Sequence, residues 1–382
     1  MSEIMGKRNG EKVIVAGHIC LDITPAFQNE ETEHVTDLFQ PGSLAEVGAA
    51  SMHTGGCVAN TGIAMKLLGE DVCLLGKIGE DAFGRAIKDR ILEYGIADTL
   101  LMDPECGTSY SIVLAPRGID RMFLHYPGAN HTFSASDIRK EQLKDARLFH
   151  FGYPSVMRRM YQEEGKELAE LFHKAKSCGV ATSLDLSAVD EHSEAGAADW
   201  EKIVKRVLPD VDLFVPSVEE LAFMIDRKQY DAWKREAAGR DITSVLHISQ
   251  IQALAQRLMD WGADILLIKC GAAGMYLAVN DHLSERKMAG RDVSNWQGIR
   301  HFEAAYKPRQ VLSATGAGDT SIAAFLCAFL QGASWLECVQ LAAATGASCV
   351  ESYDALSSLK SLKEQRERIR NGWEKTDLKL KP

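Results

Sequence analysis

The chain lacks most of the features that mark specialised protein classes. Its 382 residues hold 9 cysteines but no CxxC pair and no Cys/His spacing of a metal site, and an odd number cannot all pair, so neither a disulfide framework nor a zinc module is expected. The thiols read as reduced and mostly buried, in a cytoplasmic protein. Basic charge is also scarce. The 43 Lys and Arg face 53 Asp and Glu, for a net charge of -10 and a pI near 5.6. That balance argues against a nucleic-acid partner or an anionic membrane surface, and any phosphate site has to be local. Residues Met1 to Lys12 have no apolar core of the signal-peptide kind, so secretion is not expected. The longest apolar region, Ile322 to Val350, is broken by Gln331, Gly332, Glu337 and Gln340, too polar an interruption for a span of ~20 residues. At 46% hydrophobic and 25% charged residues, the chain has ample material for a large core.

The apolar pattern alternates between two periods. Val13 to Ile19 is an apolar, β-branched run that suits a buried parallel strand, and Asp71 to Leu75, Leu148 to Phe151, Ala181 to Leu184, Leu213 to Val215 and Ile265 to Ile268 are further candidates. Between them, Val58 to Leu68, Ala82 to Tyr94, Gly165 to Ala175, Ile251 to Trp261 and Ser334 to Ser348 carry apolar residues at helical spacing. This order predicts a parallel sheet with helices on both faces. Residues 34–54 and 98–127 break the alternation and read as a small antiparallel flap, a lid over the sheet. Polar stretches at Asp226 to His247 and Asn280 to Arg300 read as surface insertions, and Trp373 to Pro382 as a loose tail after a charged helix.

One loop carries the clearest chemistry: Ala314-Thr315-Gly316-Ala317-Gly318-Asp319-Thr320, followed by the apolar run Ser321 to Leu330. Glycines at a helix start let backbone N–H groups converge on an anion. An aspartate beside them would repel phosphate unless it accepts a proton from an attacking hydroxyl, which points to phosphoryl transfer to an alcohol. A glycine turn with an aspartate helix cap is the plain alternative. Other phosphate signatures fail. The nearest Walker A match, Gly79 to Arg85, has arginine for lysine and then Ala86, and the near-match to GxGxxG ends in Ser321. Protein-kinase HRD and DFG motifs are absent.

Taken together, several segments resemble the ribokinase-like, or PfkB, carbohydrate and nucleoside kinases over about residues 12–355. Ser313 to Asp319 is similar to the family signature DTxGAGD, while Gly55-Gly56-Cys57-Val58-Ala59-Asn60, Leu68-Gly69 and Gly76 to Gly84 are similar to its N-terminal signature. The resemblance implies a three-layer α/β/α kinase domain with a small β-sheet lid (about 34–54 and 98–127) and a C-terminal helix and tail at 356–382. It implies Asp319 as catalytic base, with Gly316, Ala317 and Gly318 as the anion hole. It also implies Asp22, Gly55, Gly56, Asn60 and Arg121 at the acceptor, and Lys269, Gly271, Gly274 and Thr315 on the nucleotide side. ATP and Mg2+ are the implied cofactors, with Glu220 holding magnesium through water. A sugar, sugar acid or nucleoside is the implied substrate, and a homodimer through the lid is the implied assembly.

For several of these residues a structural reading stands beside the functional one: a turn aspartate at Asp22, a helix-start glutamate at Glu220, a hairpin turn at Lys269 to Gly274 and a solvated charge at Arg121. Two departures from the family pattern matter. Ser217 replaces the asparagine of NxxE. Ser313-Ala314 replaces the Asp-Thr pair whose aspartate supports a monovalent cation, so potassium activation is expected to be weak or absent. Readings from other classes are a non-catalytic small-molecule sensor that kept the pocket, and a nicotinamide-dependent oxidoreductase carried only by the GxGxxS near-match.

Overall fold

The computed structural model describes residues 12–27, 42, 44–116, 122–283, 288–378, 380 and 381. Its strands in chain order are β1 (Lys12–Gly17), β2 (Cys20–Thr24), β3 (Ser51–Gly55), β4 (Val72–Gly79), β5 (Leu101–Asp103), β6 (Tyr110–Leu114), β7 (Met122–Tyr126), β8 (Ala146–Gly152), β9 (Ala181–Asp185), β10 (Leu213–Phe214), β11 (Ile265–Lys269), β12 (Gly274–Val279) and β13 (Arg300–Ala304). Nine of them form one sheet in the order β13-β12-β11-β10-β9-β8-β1-β4-β5. The sheet is parallel from β5 to β11, and β12 and β13 close one edge antiparallel.

Alternation along β1 explains the layers. Ile14 and Ala16 face one core and Val13 and Val15 the other, as a period of two residues requires of a strand covered on both faces. The first core is roofed by the helices Lys166–Ser177, Trp200–Val207, Val218–Ile225 and Ile248–Asp260. The second is roofed by Cys57–Leu67, Ala82–Glu93, Ala317–Leu330 and Trp335–Cys349. This is the expected three-layer arrangement. Among the described residues no helix is long and apolar enough to cross a membrane, and all nine cysteines are unpaired.

A second sheet, in the order β3-β2-β6-β7, stands apart from the first. It differs from the expected flap in three ways. Its inner strand β2 follows β1 after only His18 and Ile19, so Asp22 lies within a strand and not in a turn. The β2–β6 pairing is parallel. The segment at Leu101–Asp103 joins the large sheet instead, beside β4.

The regions read as surface insertions do more than cover the surface. Trp233 and Trp296, each in a polar stretch, are fully buried. Trp233 donates its indole N–H to Gln250 Oε1 at 3.0 Å, and Trp296 packs edge-on to Phe329 with ring centroids 5.5 Å apart. A single large aromatic anchor is enough to bury a segment whose composition is otherwise polar. The tail is likewise docked. Trp373 stacks on Tyr306 at 4.9 Å, and the Lys381 backbone exchanges hydrogen bonds with Leu246 and Ile248, 3.0 Å each. Trp373 thus docks beside the end of β13 and Lys381 at the start of the helix Ile248–Asp260, partners that sequence periodicity does not reveal.

His150, on β8 between the two cores, is fully buried and shares a hydrogen bond with Ser183 Oγ at 2.9 Å. Burial, with a smaller contribution from the Lys269 charge, lowers its pKa from 6.5 to about 3. The unfolded chain therefore takes up a proton near pH 6.5 that the folded chain refuses until about pH 3. This contribution is present in full above about pH 6.5 and is lost progressively as the pH falls to about 3. The slope of unfolding free energy against pH in that window should flatten in His150→Leu, by up to about 1.4 kcal/mol per pH unit. Parallel slopes for wild type and variant in chemical denaturation would refute the assignment.

Candidate active site

The carboxyl ends of the parallel strands converge on one small region. β1 leads into His18 and β8 into Tyr153, while β9 ends at Asp185 and β11 at Lys269, with the helix Ala317–Leu330 starting opposite. This is where open α/β sheets bind ligands, because the loops diverge and the helix N-termini point inward.

Gly316 caps that helix at φ 73°, a left-handed conformation that favours glycine. A Cβ there would also lie 2.1 Å from the Ala355 Cβ, so sterics and backbone geometry demand the same residue. The N–H of Ala317 closes a turn on the Ala314 carbonyl at 3.2 Å. The next N–H groups of the first helical turn, at Gly318 and Asp319, have no acceptor within the helix. Thr315 turns its N–H onto Ser313 Oγ at 3.1 Å.

Asp319 is 3% exposed. Its Oδ2 accepts from Asn60 Nδ2 at 2.9 Å, and its Oδ1 from Thr61 Oγ1 at 3.3 Å. The Tyr153 hydroxyl lies 2.9 Å from both carboxylate oxygens. Burial raises the Asp319 pKa above the usual carboxylate range, opposed by the hydrogen bonds from Asn60 and Tyr153 and by the charge of Lys269. A carboxylate moved upward in this way is a better proton acceptor than an exposed one.

Beside it, Lys269 Nζ pairs with Asp185 Oδ1 at 2.7 Å. Burial pushes Asp185 up to about 8 against the pull of Lys269, and the charges of Glu220 and Asp319 push the same way. The same carboxylates hold the Lys269 pKa up despite burial, so the ammonium stays charged. Lys269 also runs past Gly318, its Nζ 3.7 Å from where a Cβ would stand, which places the cation against the glycine turn. Sequence reasoning put Lys269 on the nucleotide side, and the structure puts it next to Asp319 as well.

The acceptor-side candidates lie on the second sheet and at the start of the helix Cys57–Leu67. A Cβ on Gly55 would meet the Asp22 carboxylate at 2.2 Å, and one on Gly56, at φ 82°, would meet His18 Nδ1 at 2.6 Å. This glycine pair lets Asp22 and His18 press against the backbone. His18 is 4% exposed, and neither ring nitrogen has a hydrogen-bond partner among the described residues. Burial, with the nearby His125 and His131, lowers its pKa to about 3, so the ring is neutral. Asn130 clamps the β1–β2 junction, donating to the Ile19 carbonyl at 2.8 Å and accepting from its N–H at 3.2 Å. Arg121 lies outside the described residues.

Other candidates have structural work to do. Gly271 begins the tight turn between β11 and β12. Gly274 passes so close to β13 that a Cβ would lie 2.1 Å from the Glu303 carbonyl, which accounts for that glycine by packing. Glu220 accepts the Ser217 N–H at 2.7 Å while Ser217 Oγ caps Glu220, a reciprocal helix-start box. Three residues at the site went unnoticed in the sequence: Thr61, Tyr153 and Asp185. Asp185 had a usable signal, an acidic residue at the carboxyl end of a parallel strand. Tyr153 had none.

A doubly covered parallel sheet with a buried carboxylate at a glycine-led helix start defines a class of α/β phosphotransferases. The chain belongs to the pfkB family of carbohydrate kinases, whose profile matches residues 11–362. It is 26% identical over 330 residues to fructokinase-1 of Oryza sativa subsp. japonica, covering 83% of this chain and 88% of the relative. Among solved structures, it is similar to Arabidopsis thaliana ribokinase complexed with ribose and ATP (TM-score 0.68, 20% identity, 94% of this chain and 98% of the other). It is also similar to a putative ribokinase II from E. coli in complex with ATP and Mg2+ (TM-score 0.69, 18% identity, 94% and 99%).

Truncating one member of the buried ion pair should be far more damaging than removing both charges. Lys269→Met should cost about 3–5 kcal/mol by stranding Asp185, and Lys269→Met with Asp185→Asn should recover much of that. Additive losses in urea unfolding would show that the two side chains do not form a coupled pair.

Proposed function

We propose that the protein transfers the γ-phosphoryl group of ATP to a hydroxyl of a small sugar, with Asp319 as general base. The observation that carries this reading is the buried Asp319 carboxylate, set in the first turn of a glycine-capped helix and facing the acceptor-side residues. The fructokinase and ribokinase relatives support a sugar as acceptor, and the ATP complexes of the solved neighbours support ATP as donor. In the proposed step, Asp319 takes the proton of the acceptor hydroxyl. The acceptor oxygen bonds to the γ-phosphorus, and the bond from that phosphorus to the β–γ bridging oxygen breaks, its electron pair leaving with ADP. The N–H groups of Gly318 and Asp319, together with Lys269, face the charge that builds on the phosphoryl oxygens. Asp22, Gly55, Gly56 and Asn60 orient the acceptor, with Asn60 also fixing one oxygen of the base.

Magnesium fits this region by donor chemistry. Glu220 supplies a hard carboxylate, and its charge acts on both Asp185 and Lys269. Among the described residues no three metal-ligating side chains converge, as suits an ion held mainly by water and phosphate oxygens. Glu220 would hold the ion through water, and the charge it would supply there is positive charge against the phosphates. A monovalent-cation site is disfavoured, because the Ser313 hydroxyl is engaged with Thr315 at 3.0 and 3.1 Å and carries no charge.

Asp319→Asn should keep nucleotide binding and lose about 10²–10⁴-fold in transfer across a panel of hexoses, pentoses, sugar acids, sugar phosphates and nucleosides in a coupled assay. Transfer retained near wild-type rates would remove Asp319 from the mechanism. Replacing sodium with potassium should change turnover by less than about twofold, and a many-fold rise would overturn the reading of Ser313.

A further inference from the structure

Tyr153 closes off the carboxylate that transfer needs open. An ionised carboxylate offers about four acceptor positions. On Asp319 one is taken by Asn60 and one by Thr61, and the single proton of the Tyr153 hydroxyl is shared between the two oxygens, 2.9 Å from each. Asn60 and Thr61 sit on the buried face of the helix Cys57–Leu67 and are fixed by it. Of the three donors Tyr153 is the one that this helix does not hold, so it is the partner an acceptor hydroxyl would displace.

Tyr153 is also held in an unfavourable backbone state. Its φ of 67° and ψ of 44° are left-handed, a region that costs a bulky non-glycine residue about 1–3 kcal/mol. The N–H of the residue makes only a long bond, 3.3 Å, to the Asp185 carbonyl. On its other side the ring stacks on His18 at 6.1 Å, and His18 in turn meets His125 at 5.3 Å. The two His18 nitrogens, buried and without hydrogen-bond partners among the described residues, belong to the ring that stacks on Tyr153. A buried polar atom left unpaired costs free energy, and a hydroxyl-bearing acceptor entering here would satisfy it while displacing the tyrosine.

We infer that the Tyr153 hydroxyl occupies, in the substrate-free protein, the place of the acceptor hydroxyl, and shields Asp319 from water until an uncharged polyhydroxyl acceptor displaces it. The inference rests on the assignment of Asp319 as base. Without the shield, water takes the acceptor's part: its proton goes to Asp319, its oxygen bonds to the γ-phosphorus, and ATP is split to ADP and phosphate. With the shield, the base meets a nucleophile only when sugar is bound, which suppresses loss of the donor to hydrolysis.

The test is ATP hydrolysis in the absence of any acceptor. Tyr153→Phe should raise it by about tenfold or more, while with fructose or ribose, whichever is accepted, KM falls or holds and kcat stays within about threefold. Tyr153→Gly, which also relieves the left-handed strain, should show the same rise in hydrolysis. Without nucleotide, adding the accepted sugar to wild type should perturb the tyrosine near-ultraviolet spectrum, and the perturbation should be lost in Tyr153→Phe. Unchanged acceptor-free hydrolysis in both folded variants, or a fall in kcat at constant KM, would overturn the inference and make Tyr153 a fixed donor to the base. The two assignments fail separately. Retained transfer in Asp319→Asn removes the base, whereas lost transfer in Asp319→Asn with unchanged hydrolysis in Tyr153→Phe removes only the shield.

Discussion

Three carboxylates gather around one buried ammonium. Asp185 is paired directly with Lys269, and Glu220 and Asp319 act on it through space. Each carboxylate would be costly in so dry a region without a cation or strong donors near it. Lys269 meets that requirement for Asp185, and Asn60, Thr61 and Tyr153 meet most of it for Asp319. The strand order then follows a chemical logic. β11 and β9 are separated only by β10 in the sheet, so their last residues reach one another, and the helix bearing Asp319 packs on the same side. The sheet is the frame that keeps these charges in register.

The pKa directions fit that picture. Burial raises Asp185 and Asp319, whereas His18 and His150 are lowered to about 3. The site therefore combines acids that hold protons more readily than usual with imidazoles that refuse them. A neutral His18 is suited to recognising hydroxyl groups and poorly suited to holding an anion.

Much of the frame was legible in the sequence because parallel strands buried on both faces are nearly continuous apolar runs. Each of the six strands read from such runs exists, and Asp319 stood out because glycine, glycine and aspartate before an apolar helix leave few alternatives. What escaped detection depends on contacts distant along the chain. β2 is short and half-buried, so no apolar run announces it. Trp233 and Trp296 sit in polar surroundings and are buried only because Gln250 and Phe329 receive them. Tyr153 looks like any strand-end aromatic until the chain brings it 166 residues along to Asp319. Gly274 carried a motif-like appearance whose cause is the neighbouring β13 backbone.

The junction of β1 and β2 has a mechanical meaning. Only His18 and Ile19 separate a central strand of the large sheet from an inner strand of the small one, and Asn130 bonds both the N–H and the carbonyl of Ile19. The two sheets are thus geared together through a two-residue axle and do not hang on a slack tether. His18, the first residue of that junction, stacks on Tyr153, whose hydroxyl lies on Asp319.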